Sequence, residues 1–156
     1  MASSTAGEGM RFFFYGTLMD RDVLARVLGR PVIVAALKPA TLRGYRRTAI
    51  REGSYPIVLR EPAGFVDGLT LDNVSKAESE RLAAYEGPRY SLVRTFAEFP
   101  ERRPRAVFLF EPVAGAFTPT DTDWSLATWQ ARDKEKFLAA LLPVLSSRAQ
   151  RGISRE

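Results

Sequence analysis

Apolar and polar positions alternate, cluster and stop along this chain in a way that defines most of its elements. Arg11 to Tyr15 is an apolar, aromatic run of strand length, read as a buried first strand. Gly16-Thr17 interrupts it, and Asp20 to Leu28 then follows a helical period, with Val23, Leu24, Val27 and Leu28 on one face and acids in the first turn. Gly29 stops this helix and Pro31 lies beyond it. Val32 to Ile50 reads as strand with a kink at Pro39 and a turn near Gly44. Tyr55 to Leu59 reads as a short strand closed by Glu61-Pro62, and Phe65 to Leu71 as another with Gly68 inside it. A glycine in mid-strand signals a bulge or a close backbone approach.

Ser75 and Glu78 have capping-box spacing, so the pattern predicts a helix over Ser75 to Tyr85 that Gly87-Pro88 ends. Glu86 falls at its C-terminal boundary. Tyr90 to Phe99 alternates, Pro100 to Pro104 is turn-like, and Ala106 to Phe110 is apolar, which together predict a hairpin. Pro112 to Pro119 reads as a loop. Trp124 to Leu145 reads as a last helix with Trp129, Phe137, Leu138, Leu141 and Leu142 as core. About six strands and three helices in mixed order describe an α+β chain. We expect a single domain over residues 10–145, with 1–9 and 146–156 as flexible tails.

Composition changes this picture mainly by what is missing. The chain has no cysteine and no histidine. Disulfides, thiol nucleophiles, Cys/His zinc sites and Ser-His-Asp arrangements are therefore excluded, and general acid–base work falls to Asp, Glu, Lys or Tyr. Composition leaves an all-carboxylate metal site open, but no Asp/Glu cluster has ligand-like spacing apart from loose pairs such as Asp20 with Asp22 and Asp121 with Asp123, so no metal is expected. A net charge of +5 and a pI of about 9.9 raise the question of a nucleic-acid partner. The Arg102, Arg103 and Arg105 group sits between prolines in a turn, and no basic–aromatic interleaving accompanies it. Scattered solubilising arginines account for the charge, so neither a nucleic acid nor a membrane is an expected partner. Met1 to Met10 lacks the apolar stretch of a signal peptide, and the expected location is the cytoplasm.

Two local features carry candidate chemistry. Tyr15-Gly16-Thr17-Leu18 stands between strand and helix, where free N–H groups beside a helix N-terminus suit an anion or a developing oxyanion. By itself such a turn reads equally as a simple connection. Glu86 faces the negative end of its helix dipole, which disfavours the carboxylate, and any burial raises its pKa further. By position alone a solvated surface glutamate remains open.

The combination is more specific. Tyr15-Gly16-Thr17-Leu18 is followed about seventy residues later by Leu82-Ala83-Ala84-Tyr85-Glu86-Gly87 and Tyr90. Between them stand Leu42-Arg43-Gly44-Tyr45, Tyr55-Pro56-Ile57-Val58 and Val66-Asp67-Gly68-Leu69. In order and spacing, over residues 11–110, the chain resembles the γ-glutamylcyclotransferase-like (AIG2-like) family. The resemblance implies a small mixed β-barrel flanked by helices, with a cavity at the glycine loop. It implies release of 5-oxoproline from a γ-glutamyl amine or γ-glutamyl amino acid by attack of the substrate's own α-amine, without cofactor or metal. Glu86 would be the general acid/base, and the Tyr15, Gly16, Thr17 and Leu18 segment with Tyr90 would bind substrate. Tyr15 and Tyr90 read equally as core aromatics, and Tyr55 reads as packing or pocket wall. Arg43 and Arg94 are candidates for the substrate α-carboxylate, or else solvated. Two positions depart from the family pattern: Ala83 stands where Asp is usual in the helix, and Thr17 where Ser is commoner. A catalytically silent member that binds a metabolite or a partner protein is the alternative. The substrate's second half and the oligomeric state are not readable from this pattern.

Overall fold

The computed structural model describes residues 9–141. The four residues from Leu142 to Leu145, and the whole segment 146–156, lie outside the described residues, as do 1–8. Strand β1, Met10–Phe14, explains its own unbroken apolar run: Phe12 and Phe14 pack with the helices, while Phe13 and Tyr15 point into a second core. A strand covered on both faces has no polar side to show.

Gly16 leads into a single 3-10 turn, Thr17–Met19, and then α1, Arg21–Leu28. The Asp20 carboxylate caps α1 by accepting from the backbone N–H groups of Asp22 and Val23 at 2.9 and 3.1 Å. Gly29 closes it in the left-handed conformation at φ 78°. The Asp20–Asp22 pair is a positional device. Lys134 bridges both carboxylates, at 2.9 and 2.7 Å, and Gln130 donates to Asp20 at 2.9 Å, which ties α1 to the C-terminal helices.

The expected strand over 32–50 is shorter at its start. A 3-10 turn at Val34–Ala36 precedes β2, Leu37–Ala49. Neither Pro39 nor Gly44 breaks β2. The two strands expected at 55–59 and 65–71 are one 19-residue strand, β3, Pro56–Val74. The reason lies in the register: Arg43 faces Phe65 and Tyr45 faces Arg60, so Gly44 alone stands opposite the four residues 61–64. That bulge takes Pro62 out of the ladder, where its missing N–H costs no hydrogen bond, and Gly44 answers it with φ 85°. Gly68 is the close approach its position suggests. A Cβ there would stand 2.4 Å from the Phe14 carbonyl oxygen and 2.6 Å from the Phe13 ring.

Helix α2, Lys76–Glu86, starts at a complete Ser75/Glu78 capping box and ends on Gly87, whose N–H donates to the Ala83 carbonyl at 2.9 Å. Strands β4, Tyr90–Glu98, and β5, Pro104–Pro112, form the expected hairpin, paired from Tyr90–Pro112 to Glu98–Pro104. β5 then lies parallel to β1 through Phe12 and Phe108, and β2 meets β4 at Thr41–Glu98. The result is a closed barrel in the order β1-β3-β2-β4-β5, mixed because only the β1–β5 pair is parallel. The architecture is α+β, as expected. The barrel interior holds Phe13, Tyr15, Leu42, Val58, Val66 and Leu109. A second apolar layer lies between its outer wall and the helices, around Phe12, Leu24, Leu82 and Trp129.

The last helix begins later than its pattern suggested. Ser125 caps α3, Leu126–Arg132, the chain breaks period at Asp133, and residues 134–141 are helical again. Trp124 and Trp129 are anchors: both indoles donate to Ser54, one to its carbonyl at 2.7 Å and one to its hydroxyl at 3.3 Å. No helix among the described residues is long and apolar enough to cross a membrane.

Candidate active site

At one end of the barrel, the β1–α1 connection, the start of β3, the end of α2 and residues 137–141 enclose a cavity of about 410 Å³. Tyr15, Gly16, Thr17, Leu18, Glu86 and Tyr90 all line it. A hydrogen bond of 2.6 Å between the Thr17 and Tyr85 hydroxyls joins the glycine turn to the last turn of α2. Glu86 is the next residue. Two segments about seventy residues apart in sequence therefore share one wall of the cavity.

The turn has donors to spare. Met19 N–H donates to the Gly16 carbonyl at 2.9 Å and Asp20 N–H to the Thr17 carbonyl at 3.0 Å. Among the described residues, the N–H groups of Gly16, Thr17 and Leu18 take no part in such backbone bonds. These are the free donors of a helical first turn. Gly16 also lets the turn lie against β3, since a Cβ would meet the Pro56 ring at 3.0 Å.

Glu86 is the only acid among the described residues that line the cavity. Burial pushes its carboxyl up to about 8, from an ordinary 4.5. The side chain is nevertheless half-buried, because the cavity itself reaches it. Dense protein around the carboxyl is what disfavours its charge. The helix dipole anticipated from sequence is not needed to explain the shift.

The tyrosines divide by role. The Tyr15 phenol donates to the Phe110 carbonyl at 2.7 Å, so its proton is committed to closing the barrel. Its pKa is held well above the usual value by burial first and by the neighbouring Glu86 second. Burial also raises the Tyr90 phenol, again with Glu86 adding to it. Tyr90 packs on Phe117 at 5.3 Å and Tyr55 meets the same ring edge-on at 6.0 Å.

Neither arginine singled out from sequence reaches the cavity. Arg43 pairs with Glu98 at 3.1 Å on the barrel surface, and Arg94 is exposed on β4. The arginine that does line it is Arg89, three residues after Glu86. Its guanidinium donates to the Ala116 carbonyl and lies over the Phe117 ring, 4.1 Å from the centroid. Arg89 went unread because it follows Gly87-Pro88 in a stretch that looks only like a helix stop. Phe117 carried a weak signal, as the one aromatic in a Pro/Gly/Ala loop. The departure at Ala83 is remote from the chemistry: the residue is exposed and does not line the cavity. Thr17 uses its hydroxyl on Tyr85, which leaves its backbone as the part free to meet a ligand.

A closed mixed barrel with a glycine turn and a half-buried glutamate at one cavity defines a γ-glutamylcyclotransferase-like class of protein. The family model for gamma-glutamyl cyclotransferase, AIG2-like, matches residues 12–126, and the chain belongs to that family. AIG2-like protein A of Arabidopsis thaliana is 29% identical over 147 residues, spanning 93% of this chain and 87% of the relative. A solution structure of another Arabidopsis thaliana protein has a TM-score of 0.62 at 25% identity, covering 89% of this chain and 92% of its own. A structure named gamma-glutamyl cyclotransferase shares the fold with a TM-score of 0.53 at 8% identity, over 70% of this chain and 69% of that one. Membership of the family supports a γ-glutamyl-cyclotransferase-like function in general.

Proposed function

We propose that the protein is a γ-glutamyl cyclotransferase that releases 5-oxoproline from a γ-glutamyl amine or γ-glutamyl amino acid, with Glu86 as general acid/base. The observation that carries this is the raised Glu86 carboxyl, pushed up to about 8, on the wall it shares with the glycine turn. A substrate α-ammonium must lose a proton before its nitrogen can attack. A base whose pKa lies near working pH takes that proton with little uphill cost.

The proton count fits one carboxylate. The α-nitrogen begins with three protons and ends in the lactam with one. The leaving nitrogen begins with one and departs as an ammonium with three. Two protons therefore cross from one nitrogen to the other while one C–N bond forms and one breaks. Glu86 ferries them in turn, and no net proton is released. The Gly16, Thr17 and Leu18 N–H groups would hold the developing oxyanion, each such donor contributing about 3–4 kcal/mol in comparable sites. The cavity would fold the glutamyl chain so that amine and carbonyl meet, an orientation effect of roughly 7–11 kcal/mol in well-aligned intramolecular reactions. The reading is of a cytoplasmic, cofactor-free enzyme acting on a small molecule.

Incubation with a panel of γ-glutamyl compounds, followed by mass spectrometry for 5-oxoproline, tests it. We expect product from at least one compound and a loss of about 10²–10⁴-fold in kcat for Glu86→Gln. A folded protein that forms no product from any of them would sink the reading, and an undiminished Glu86→Gln would sink the role of Glu86. The former outcome is also what a silent, binding-only member of the family would give, and in such a member Glu86→Gln would change nothing measurable.

A further inference from the structure

The cavity has a polarity along its depth that bears on the substrate's second half. Glu86 lies where burial is strong enough to push its carboxyl up, whereas Arg89 is exposed at the edge of the same cavity. Arg89 is the only cation among the described residues that line the cavity. It is also held still. Its guanidinium is stacked on Phe117 and hydrogen-bonded to the Ala116 carbonyl, while its own carbonyl accepts from Val113 N–H at 2.8 Å. Among the described residues no carboxylate is within ion-pair distance of it. The nearby Glu52 is taken up by Thr118, which donates its N–H to it at 2.9 and 3.0 Å and its hydroxyl at 2.7 Å.

Resting on the cyclotransferase reading, we propose that Arg89 determines specificity by holding a carboxylate on the leaving half of the substrate, so that γ-glutamyl amino acids or peptides are preferred over γ-glutamyl derivatives of uncharged amines. On this placement the glutamyl head meets the half-buried Glu86, and the half that departs extends toward the exposed Arg89. A carboxylate on that half arrives at the fixed guanidinium. Planar, stacked arginine is suited to forked recognition of carboxylate, and little side-chain freedom is left to lose on binding. The electrical reach of Arg89 agrees with this placement. Burial raises the Tyr55 and Tyr90 phenols and Arg89 pulls both back, whereas the rise at Glu86 is set by burial.

The test compares γ-glutamyl-alanine with γ-glutamyl-alaninamide, which differ only in the carboxylate, on wild type, Arg89→Gln and Arg89→Lys. Wild type is expected to favour the acid. Arg89→Gln should lower kcat/KM for the acid by about 10–100-fold, mainly through KM, and leave the amide within about twofold. Arg89→Lys should recover part of the loss, because it keeps the charge without the fork. The amide serves as the folding control within each variant. Equal losses on both substrates, or none on either, would overturn the inference, as would a wild type that prefers the amide. These results leave the cyclotransferase reading standing. Absence of 5-oxoproline from either substrate and from the wider panel would remove both.

Discussion

Glu86 carries opposite consequences for activity and stability. In the unfolded chain its carboxyl titrates near the ordinary value of 4.5, and in the fold near 8. Between those values the folded protein holds the extra proton, so stability falls as pH rises through the window and the contribution is gone above the folded pKa. Activity runs the other way, because the base form is the one that accepts the substrate's proton. We expect kcat to rise from pH 6 to about 8 and then level. We also expect Glu86→Gln to melt at a higher temperature than wild type near pH 9, with the gap closing towards pH 5. Thermal unfolding followed at both pH values would show it, and a gap that is constant with pH would rule out a raised Glu86 in solution. At this scale the sequence pointed to an acid that lines the cavity and passed over the arginine that does. The absence of histidine and cysteine leaves Asp, Glu, Lys and Tyr, the helix boundary makes Glu86 one candidate, and only the resemblance of its motif to the family's implies the general acid/base role. Arg43 and Arg94 were attractive only as arginines near family-like motifs. What distinguishes Arg89 is a tertiary contact with Phe117, which nothing in the local pattern of either residue announces.

Local rules worked for elements whose signals are local. Gly29, Ser75 with Glu78, and Gly87 each cap a helix by bonds to residues within four positions, and each was readable, whereas Asp20 was placed inside its helix and proves to be the cap. β3 was misread as two strands because Glu61-Pro62 is a stop signal by composition. The stop is cancelled by a non-local fact, the single residue Gly44 standing opposite residues 61–64. Gly68 shows the reverse case, a local oddity with a tertiary cause. A Cβ added there would stand 2.4 Å from the Phe14 carbonyl oxygen, on the strand that delivers the Tyr15 to Leu18 turn. Backbone cannot retreat as a flexible side chain can. Gly68→Ala should therefore cost about 1–3 kcal/mol, the usual range for overpacking, read as a lower urea midpoint with an unchanged slope. Activity should fall as well, since the displaced strand ends at the turn. An alanine variant with wild-type midpoint and activity would mean that β1 and β3 are not pressed together there.

In the whole molecule, the cavity is a product of closure. Its wall draws on β1, the start of β3, the end of α2, the loop at Phe117 and the helical residues 137–141. The parallel β1–β5 contact at Phe12–Phe108 and the indole bonds to Ser54 bring these parts together. Such long-range pairings leave no periodic trace, which is why the family resemblance implied a barrel that alternation alone could not. A site assembled from both ends of the chain has no counterpart in the unfolded state. Ligand binding should therefore stabilise the entire fold by mass action. The Glu86→Gln protein permits a clean measurement, because it is expected to bind a γ-glutamyl substrate and turn it over very slowly. At a substrate concentration of 100 times Kd the stabilisation is about 2.7 kcal/mol. For a chain of this size each kcal/mol moves the melting temperature by roughly 2–4 °C, so a rise of about 5–10 °C is expected. The increment should grow with the logarithm of concentration. A melting temperature indifferent to every γ-glutamyl compound, in a variant that is otherwise folded, would mean that the cavity does not receive them.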